Sequence, residues 1–453
     1  MIHTVATDDA HRAGFHWGEG LFTLEEAASL RSRLARANAA SVIAALRLAA
    51  ERGDAVTRAA AMQADAQTRS LNPTSREALL THATTCHGVS RIVDAVATAE
   101  RSGTPLSAES LIELEYMRLV RGAALAGGMS VAWRSQGRTV LPSVGLSLEI
   151  PAGLDVEVEC TGDEYRCRIE GSVRWTAHRV PAAGAVSMAS GAEPAVLPSF
   201  AIGGQRIHID REDPAFVDAW IPAARFSSHS VTPARRDDMG TWVRALEDAA
   251  RVVEEVTPGT ASMVGWIVRS FVPVVSPTDE LACSMSDSAR PGAIMSTIDG
   301  PPVLAESIVH EFRHNLLHQL ERAYPIFEPQ SPHEARFYSP WRDDPRPLSG
   351  ILHALFVFLD VCAIHAGVLE RRMGQAHDQF DSSVRLAANV RRIRVALDVL
   401  RGNACLTPFG RGFADGIEHA CNRFEPALSE LPQDAVTQAE RETRDHRDRW
   451  CRP

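Results

Sequence analysis

The first quarter of the chain repeats apolar residues at helical spacing, with short polar breaks between the repeats. From Leu24 to Gly53, leucine, isoleucine and alanine recur every three or four positions, which predicts one long helix that ends at Gly53. Two further helices are predicted over 75–101 and 107–123, on either side of the turn-forming stretch RSGTP. The pattern therefore indicates an N-terminal helical region over 1–128.

From Met129 to about Phe226 the pattern changes to an alternation of apolar and polar residues. Segments such as LDVEVEC, YRCRIEGSVRWTAHRV and QRIHIDR alternate with a period of two and are separated by turn residues. Successive side chains of a strand point to opposite faces, so the alternation predicts strands with one buried face. We interpret 129–238 as a β-rich region.

Helical spacing returns in the second half of the chain, together with two short apolar runs. The runs GWIVRSFVPVVSP and PGAIMSTIDGPP predict strands. Helices are predicted at five places: 241–256, 303–320, 351–369, 381–402 and 410–424. A charged tail over 431–453 is expected to form a solvated helix or a frayed end. The predicted fold class is α+β, mostly helical, with a β-rich middle region.

Composition excludes several classes of function. The 453 residues include 47 basic and 57 acidic side chains, and the net charge of -10 argues against nucleic acid as the main partner. Every basic residue is arginine, which excludes lysine Schiff-base chemistry and a P-loop lysine. The eight cysteines are scattered, and the N-terminus has no apolar signal-peptide core, so a cytoplasmic location is expected.

The longest apolar run, over 351–369, does not have the composition of a lipid-facing span. It contains His353, Asp360 and His365, whose burial in lipid would be costly. We therefore interpret it as a core helix and expect no membrane partner.

The stretch VLAESIVHEFRHNLLHQL carries the pattern H-E-x-x-H at His310, Glu311 and His314. On a helix the two histidines lie about 6 Å apart along the axis and project from one face, so both imidazoles can bind one ion. Glu311 can contact a metal-bound ligand, as the general base of a zinc peptidase does. Region 239–430 is thus predicted to be a zincin-like metal-binding catalytic region, with its metal helix preceded by strands.

A working metal site needs a third protein ligand. His318 lies one turn beyond His314, too far along the axis to share an ion with both motif histidines, and an ordinary helix-face histidine is the favoured interpretation. His353, placed among apolar residues of the next helix, needs a polar partner, and metal ligation is favoured over a core hydrogen bond. Asp360, further along that helix, is assigned a structural or metal-supporting role.

An arginine-rich loop, YSPWRDDPRPLSGILHA, precedes His353 and contains Arg342 and Arg346. One interpretation is a surface loop whose arginines pair with Asp343 and Asp344. The other is a clamp for a carboxylate, since a guanidinium binds a carboxylate in bidentate fashion.

The segments SIVHEFRHNLL and YSPWRDDPRPLSGILHA resemble the HEXXH motif-containing peptide-modification proteins found with ribosomally made, post-translationally modified peptides. The resemblance covers about 303–366. It implies an Fe(II)- and 2-oxoglutarate-dependent oxygenase that β-hydroxylates a side chain of a precursor peptide. It further implies His310, His314 and His353 as metal ligands, with Arg346, or else Arg342, as the 2-oxoglutarate clamp.

Two alternatives to the oxygenase stay open at this point. Imidazole ligands suit both Fe(II) and Zn²⁺, so a zinc metallopeptidase with Glu311 as base is the first alternative. A metal-free scaffold in a peptide-modifying complex is the second. The strand PGAIMSTI is either an edge strand that pairs with an extended peptide or an interior strand.

Overall fold

The computed structural model of this protein describes most of the chain. It covers residues 24–450 except 81–82, 105, 109–111, 138, 142–143, 162–163, 181–184, 191–194, 212, 214, 225–230 and 277–282. The described chain is mixed α+β and mostly helical with several sheets, which confirms the predicted fold class at this level.

The helices of the N-terminal region overlap the ranges predicted from the sequence. Helix α1 ends one residue before Gly53, and Asp54 caps the next helix by accepting a hydrogen bond from the backbone N–H of Thr57. The helices predicted over 75–101 and 107–123 each appear as two segments. The elements are α1 (Leu24–Arg52), α2 (Ala55–Ser70), α3 (Pro73–Leu80), α4 (Ala83–Ser102), a π-helix (Ile112–Met117) and α5 (Arg118–Ala126).

The strands of the described residues form three sheets. A five-stranded sheet has the order β1-β4-β5-β6-β7, a six-stranded sheet has the order β13-β14-β12-β10-β9 with β11 paired to β12, and a three-stranded sheet has the order β2-β3-β8. The strands are β1 (Val131–Arg134), β2 (Thr139–Leu141), β3 (Leu146–Leu148), β4 (Asp155–Thr161), β5 (Glu164–Ile169), β6 (Ser172–Val180), β7 (Ala185–Ser190), β8 (Ala195–Val196), β9 (Ser199–Ile202), β10 (Gln205–Ile209), β11 (Thr232–Pro233), β12 (Ser270–Val275), β13 (Ser284–Met285) and β14 (Ala293–Ser296).

The alternating pattern of the middle region gives antiparallel strands with one buried face. In β4, Val156 and Val158 are buried while the residues on either side of Val156 are exposed. Val158 pairs with the buried Cys167 of β5 across the ladder. Burial of these apolar faces is the main stabilising contribution to such a sheet.

The strand β14, which contains the predicted PGAIMSTI segment, is interior. It pairs in parallel with β12 and antiparallel with β13, so both of its edges are hydrogen-bonded. All four of its residues are buried, as expected for a strand covered on both faces. Of the two alternatives for this strand, the edge that pairs with a peptide is therefore wrong.

The described chain divides into two compact units, and their boundaries cross the predicted segments. The sheet unit comprises 31–248 and 265–301, and the histidine unit comprises 24–30, 249–264 and 302–450. The remaining helical elements are a π-helix (Ala215–Trp220), α6 (Ile221–Ala223), a 3-10 helix (Arg236–Asp238), α7 (Met239–Val256), α8 (Pro258–Ile267), α9 (Pro301–Ala323), α10 (Leu348–Glu370), α11 (Ala376–Asn403), α12 (Pro408–Asn422), α13 (Glu425–Ser429) and α14 (Gln433–Trp450).

Helix α10 is long and apolar enough to cross a membrane, with a mean hydropathy of 2.0, yet 72% of that apolar window is buried inside the protein. Gly367 packs against Val256, where an added Cβ would lie 2.5 Å from the valine Cβ. Phe356 and Phe413 of α12 also pack together, at 5.0 Å between ring centroids. This burial is that of a core helix, as the sequence predicts.

The charged tail forms α14, which packs on α11 instead of fraying. Ala435 and Ala439 are buried against Val384 and Ala387 in a small apolar cluster. The small side chains on one face allow the helices to approach closely, while the charged residues occupy the exposed face.

Candidate metal centre

One face of α9 carries ionisable side chains at intervals of four residues. Glu306, His310, His314 and His318 follow one another along the helix, and Glu321 continues the line three residues later. Each is half-buried, whereas the residues between successive histidines are buried. Because a helix turns once every 3.6 residues, this spacing keeps the side chains on one face. We call these five residues the histidine strip.

The imidazole of His353, on α10, contacts the strip through both of its nitrogens. Its Nδ1 lies 2.9 Å from Nδ1 of His314, and its Nε2 lies 3.1 Å from Oε2 of Glu321. Its ring centroid is 4.6 Å from that of His318. In the 2.9 Å contact one imidazole donates and the other accepts, so the contact fixes the orientation of the His353 ring.

Among the described residues, His318, Glu321 and His353 form a group suited to a metal ion, with ligand atoms all within 4.8 Å of one another. Nδ1 of His318 lies 3.7 Å from Oε2 of Glu321. Ligand atoms about 2.1 Å from one ion are about 3.0 Å apart at right angles and about 3.4 Å apart in a tetrahedron. The group therefore fits a single divalent ion with small side-chain adjustments.

The predicted ligands His310, His314 and His353 lie in or beside the strip, and His314 and His353 are in direct contact. The ring of His310 lies 4.9 Å from that of His314 and 5.2 Å from that of Phe358. His310 is thus one turn further from Glu321 than His314 is. His353 is thus common to two sets of candidate ligands: the predicted set with His310 and His314, and the group with His318 and Glu321.

Glu311, predicted to be the base of a peptidase or, in an oxygenase, a ligand, an orienting group or a substrate contact, does not belong to the half-buried strip. It is 3% exposed and falls in the buried run that includes Phe312 and Arg313. Its backbone carbonyl accepts a hydrogen bond from Nδ2 of Asn315. The motif glutamate is therefore part of the packed side of α9.

The pKa values of two side chains of the histidine strip, His314 and Glu321, are shifted by their surroundings. Burial and the neighbouring histidines hold the pKa of His314 well below its usual value, which keeps the ring neutral. Burial alone would raise the pKa of Glu321, but contacts with His318 and His353 lower it to about 2. A neutral imidazole and an ionised carboxylate are the forms that bind metal.

Glu306, at the other end of the strip, is held by two cationic or polar partners. Its Oε2 lies 2.9 Å from NH1 of Arg385 and 3.3 Å from Nε2 of His365. Nδ1 of His365 lies 3.3 Å from the hydroxyl of Ser382, and both residues are buried. Burial raises the pKa of Glu306, but the contacts with His365 and Arg385 outweigh it and lower the pKa. Glu306 is therefore an ionised, fixed carboxylate.

The two predicted clamp residues, Arg342 and Arg346, are both bound to Asp344. The distances are 3.2 Å from Nε of Arg342 to Oδ1 and 3.0 Å from NH1 of Arg346 to Oδ2. Both guanidinium side chains are exposed, at 61% and 39%. Exposed arginines paired with an aspartate of the same loop are what the surface-loop interpretation predicts. A role of Arg342 or Arg346 in cosubstrate binding stays a prediction.

Trp341 connects the same loop to the strip. Its ring stacks on Phe358 at 4.7 Å and 5° between planes, and Nε1 donates a hydrogen bond to Asn389. A cavity of about 550 Å³ opens beside this stack, with walls that include Glu306, Trp341, Phe358, Arg385, Asn389 and Arg392. The cavity therefore begins where the strip ends.

Asp360 has the structural role assigned to it. Its carboxylate accepts hydrogen bonds from Nε and NH2 of Arg313 at 2.6 and 2.8 Å and from the hydroxyl of Thr260 at 3.2 Å. The guanidinium also lies over the ring of Phe356 at 4.8 Å. This buried pair ties α9 to α10 and so sets where His353 lies relative to the strip.

Neither a family model nor a curated protein matches the chain. The resemblance to peptide-modification proteins therefore stays a prediction.

Sequence reasoning did not single out Glu321 as a candidate ligand and favoured an ordinary helix-face role for His318. The spacing argument assumed that the ion lies between His310 and His314, and His318 is indeed too far along α9 to join that pair. The available signal was the pair H-x-x-E at His318 and Glu321, since residues three apart on a helix are neighbours.

Proposed function

We propose that this protein is an Fe(II)- and 2-oxoglutarate-dependent oxygenase that β-hydroxylates a side chain of a ribosomally made precursor peptide. The observation that carries the proposal is the group of two imidazoles and one carboxylate formed by His318, Glu321 and His353. Two histidines and one carboxylate with open positions are typical of non-haem Fe(II) oxygenases. Bound iron would supply the activation of O₂ that no side chain can provide.

In this proposal each residue of the centre has a separate task. His318, Glu321 and the Nε2 atom of His353 hold the ion. His314 orients His353 through the 2.9 Å contact with Nδ1, which is the usual role of a group hydrogen-bonded to a ligating histidine. Each residue of the strip is half-buried, so part of the centre is exposed to solvent.

An ion at the His318–Glu321–His353 group would leave Glu311 unable to act as the base that a zinc peptidase needs. His318 is seven residues beyond Glu311, about 10 Å along the helix axis. A zinc peptidase needs a base that contacts metal-bound water, and the buried Glu311 is too far from the His318–Glu321–His353 group for that task.

A zinc metallopeptidase is the second candidate, favoured by the contact between His314 and His353. With the ion bound by His310, His314 and His353, Glu311 would lie next to the metal in sequence, as in the zincin-like interpretation of 239–430. The metal-free scaffold is the third, and it requires that the strip bind no ion.

A cytoplasmic site of action belongs to the same proposal. Four cysteines of the described part of the chain, Cys167, Cys362, Cys405 and Cys421, are free thiols. Free thiols are typical of a reducing compartment.

The proposal predicts a gain in peptide mass without cleavage. With Fe(II), 2-oxoglutarate and O₂, a candidate precursor peptide encoded near the gene should gain about 16 Da, the mass of one oxygen. Mass spectrometry of the peptide and succinate formation measure the two halves of the reaction.

The control is His419→Gln, which changes an exposed histidine of α12 and should leave the reaction intact. His353→Gln should abolish it. Cleaved peptide from zinc-loaded protein would establish the peptidase instead, and an intact, unmodified peptide with no bound metal would support the scaffold.

A further inference from the structure

The sheet unit contains a fully buried carboxyl group that accepts no hydrogen bond. Asp210 directly follows β10 and is 0% exposed, and within the described ranges no group donates to either of its oxygens. Its backbone N–H donates to the carbonyl of Phe271 at 2.8 Å, which fixes the residue beside β12. An ionised carboxylate in such a place is costly, whereas a protonated carboxyl carries no charge to bury.

The buried guanidinium of Arg118, on α5, is bound to a different carboxylate. Its NH1 and NH2 donate to Oδ2 and Oδ1 of Asp213 at 2.7 and 2.9 Å, and both side chains are buried. Such a bidentate pair is the strong form of a charge-assisted hydrogen bond. Asp210 and Asp213 thus lie in the field of one guanidinium, and Asp213 holds its two terminal nitrogens.

Two other ionisable side chains nearby do not supply a positive charge to Asp210. His208, two residues earlier on β10, is neutral, because burial and two nearby guanidinium groups lower its pKa to about 4. Arg290, a second cation near Asp213, has its NH1 2.6 Å from Oδ2 of Asp287. An ionised Asp210 would therefore depend on Arg118.

The surroundings of Asp210 place its titration near neutral pH. Burial and the charge of Asp213 raise the pKa of Asp210 to about 7, and the Ser270 hydroxyl and Arg118 oppose this rise. The hydroxyl of Ser270, on β12, is close enough to have this effect but is not aligned to donate to the carboxylate.

Asp213 also begins the segment that covers this sheet. Its backbone carbonyl accepts hydrogen bonds from the N–H groups of Phe216 and Val217, in the second π-helix, at 2.9 and 3.0 Å. Phe216 and Trp220 of this π-helix belong to one apolar cluster with buried residues of β12 and β14. The pair of Asp213 with Arg118 therefore holds the start of the segment that packs on the sheet.

We propose that Asp210 is a proton switch of the sheet unit: its carboxyl is protonated while the second π-helix packs on the sheet, and its ionisation weakens this packing. An ionised Asp210 competes with Asp213 for Arg118, since two like charges in one buried site repel each other. Asp213 then holds the guanidinium less firmly, and the π-helix behind it opens more often. The switch involves no residue of the histidine strip.

Hydrogen exchange of the full-length protein, measured by mass spectrometry on peptides from the second π-helix and β12, tests the switch. Opening exposes Asp210 to water, where its ordinary pKa is 3.8, so opening releases one proton between that value and about 7. The opening constant, corrected for the intrinsic exchange rate of each amide, should therefore rise about tenfold per pH unit from about pH 5 to about pH 7 and level off above.

Asp210→Asn should remove this pH dependence, because an amide is similar in size to the protonated carboxyl and does not ionise. The matched control is Asp94→Asn, which changes an exposed carboxylate of α4 in the same unit and should keep the pH dependence of the parent. Asp210→Leu is a second variant that cannot ionise, and it serves if Asp210→Asn is unstable.

Infrared spectroscopy of the parent gives an independent readout. A protonated carboxyl has a carbonyl band of its own, and below the pKa of Asp210 the parent should show such a band that Asp210→Asn lacks. A pH dependence that persists in Asp210→Asn or Asp210→Leu, or a parent whose opening constant does not change with pH, overturns the switch. So does a parent without the carbonyl band.

Discussion

Replacing His353 with glutamine is expected to remove most of the bound metal from the purified protein. His353 is the residue shared by the two possible sets of ligands, since one nitrogen faces His314 and the other faces Glu321. Loss of one ligand of three weakens metal binding more than loss of a supporting partner, which typically costs about 10-fold to 100-fold in affinity. Metal analysis after dialysis against a weak chelator measures the effect.

Variants of the strip then decide which set holds the ion. If His318, Glu321 and His353 bind it, Glu321→Gln and His318→Gln should lose metal as His353→Gln does, while His310→Gln should retain it. His314→Gln should weaken binding only about 10-fold to 100-fold, as a partner of His353. The opposite result, in which His310→Gln loses metal and Glu321→Gln retains it, would mean that His310, His314 and His353 are the ligands. His419→Gln controls for the loss of an exposed histidine.

Replacing Asp360 with alanine is expected to lower the free energy of unfolding by about 3 to 5 kcal/mol. The change leaves Arg313, whose side chain is 3% exposed, as a buried charge without its bidentate partner. Urea or guanidinium denaturation followed by circular dichroism measures the change. Because the pair joins α9 to α10, metal affinity should fall as well.

The control for this change is Asp344→Ala, which removes an exposed carboxylate bound to Arg342 and Arg346. Exposed ion pairs contribute about 0 to 1 kcal/mol, so stability should hardly change. The double variant Arg313→Met/Asp360→Leu should recover much of the loss, since apolar side chains can replace a buried pair. An Asp360→Ala variant as stable as the parent would mean that water solvates Arg313 and that the pair does not fix the helices.

The periodic parts of the fold could be predicted from the sequence. The helix that ends before Gly53 and the alternating strands around Val156 depend on local spacing, which the sequence contains directly. The packing of the charged tail could not be predicted in this way. Its buried face consists of Ala435 and Ala439, which give little hydrophobic signal until α11 is known to lie opposite.

The candidate site was predictable only in part, for a similar reason. The H-E-x-x-H motif identifies α9, and the apolar surroundings of His353 identify α10, as the helices that carry candidate ligands. The spacing of residues along one helix does not show where the second helix crosses it. The crossing places His353 beside His318 and Glu321, two turns beyond His310. Pairing across helices depends on tertiary contacts such as Arg313 with Asp360, which local periodicity does not encode.

The stack of Trp341 on Phe358 places an indole two aromatic contacts from the histidine strip. An indole absorbs and emits light in the near ultraviolet, and a metal ion with a partly filled d shell can accept that excitation. Zn²⁺ has a full d shell and cannot. If the strip binds iron, the share of the emission that comes from Trp341, one of eight tryptophans, should dim with iron and stay constant with zinc.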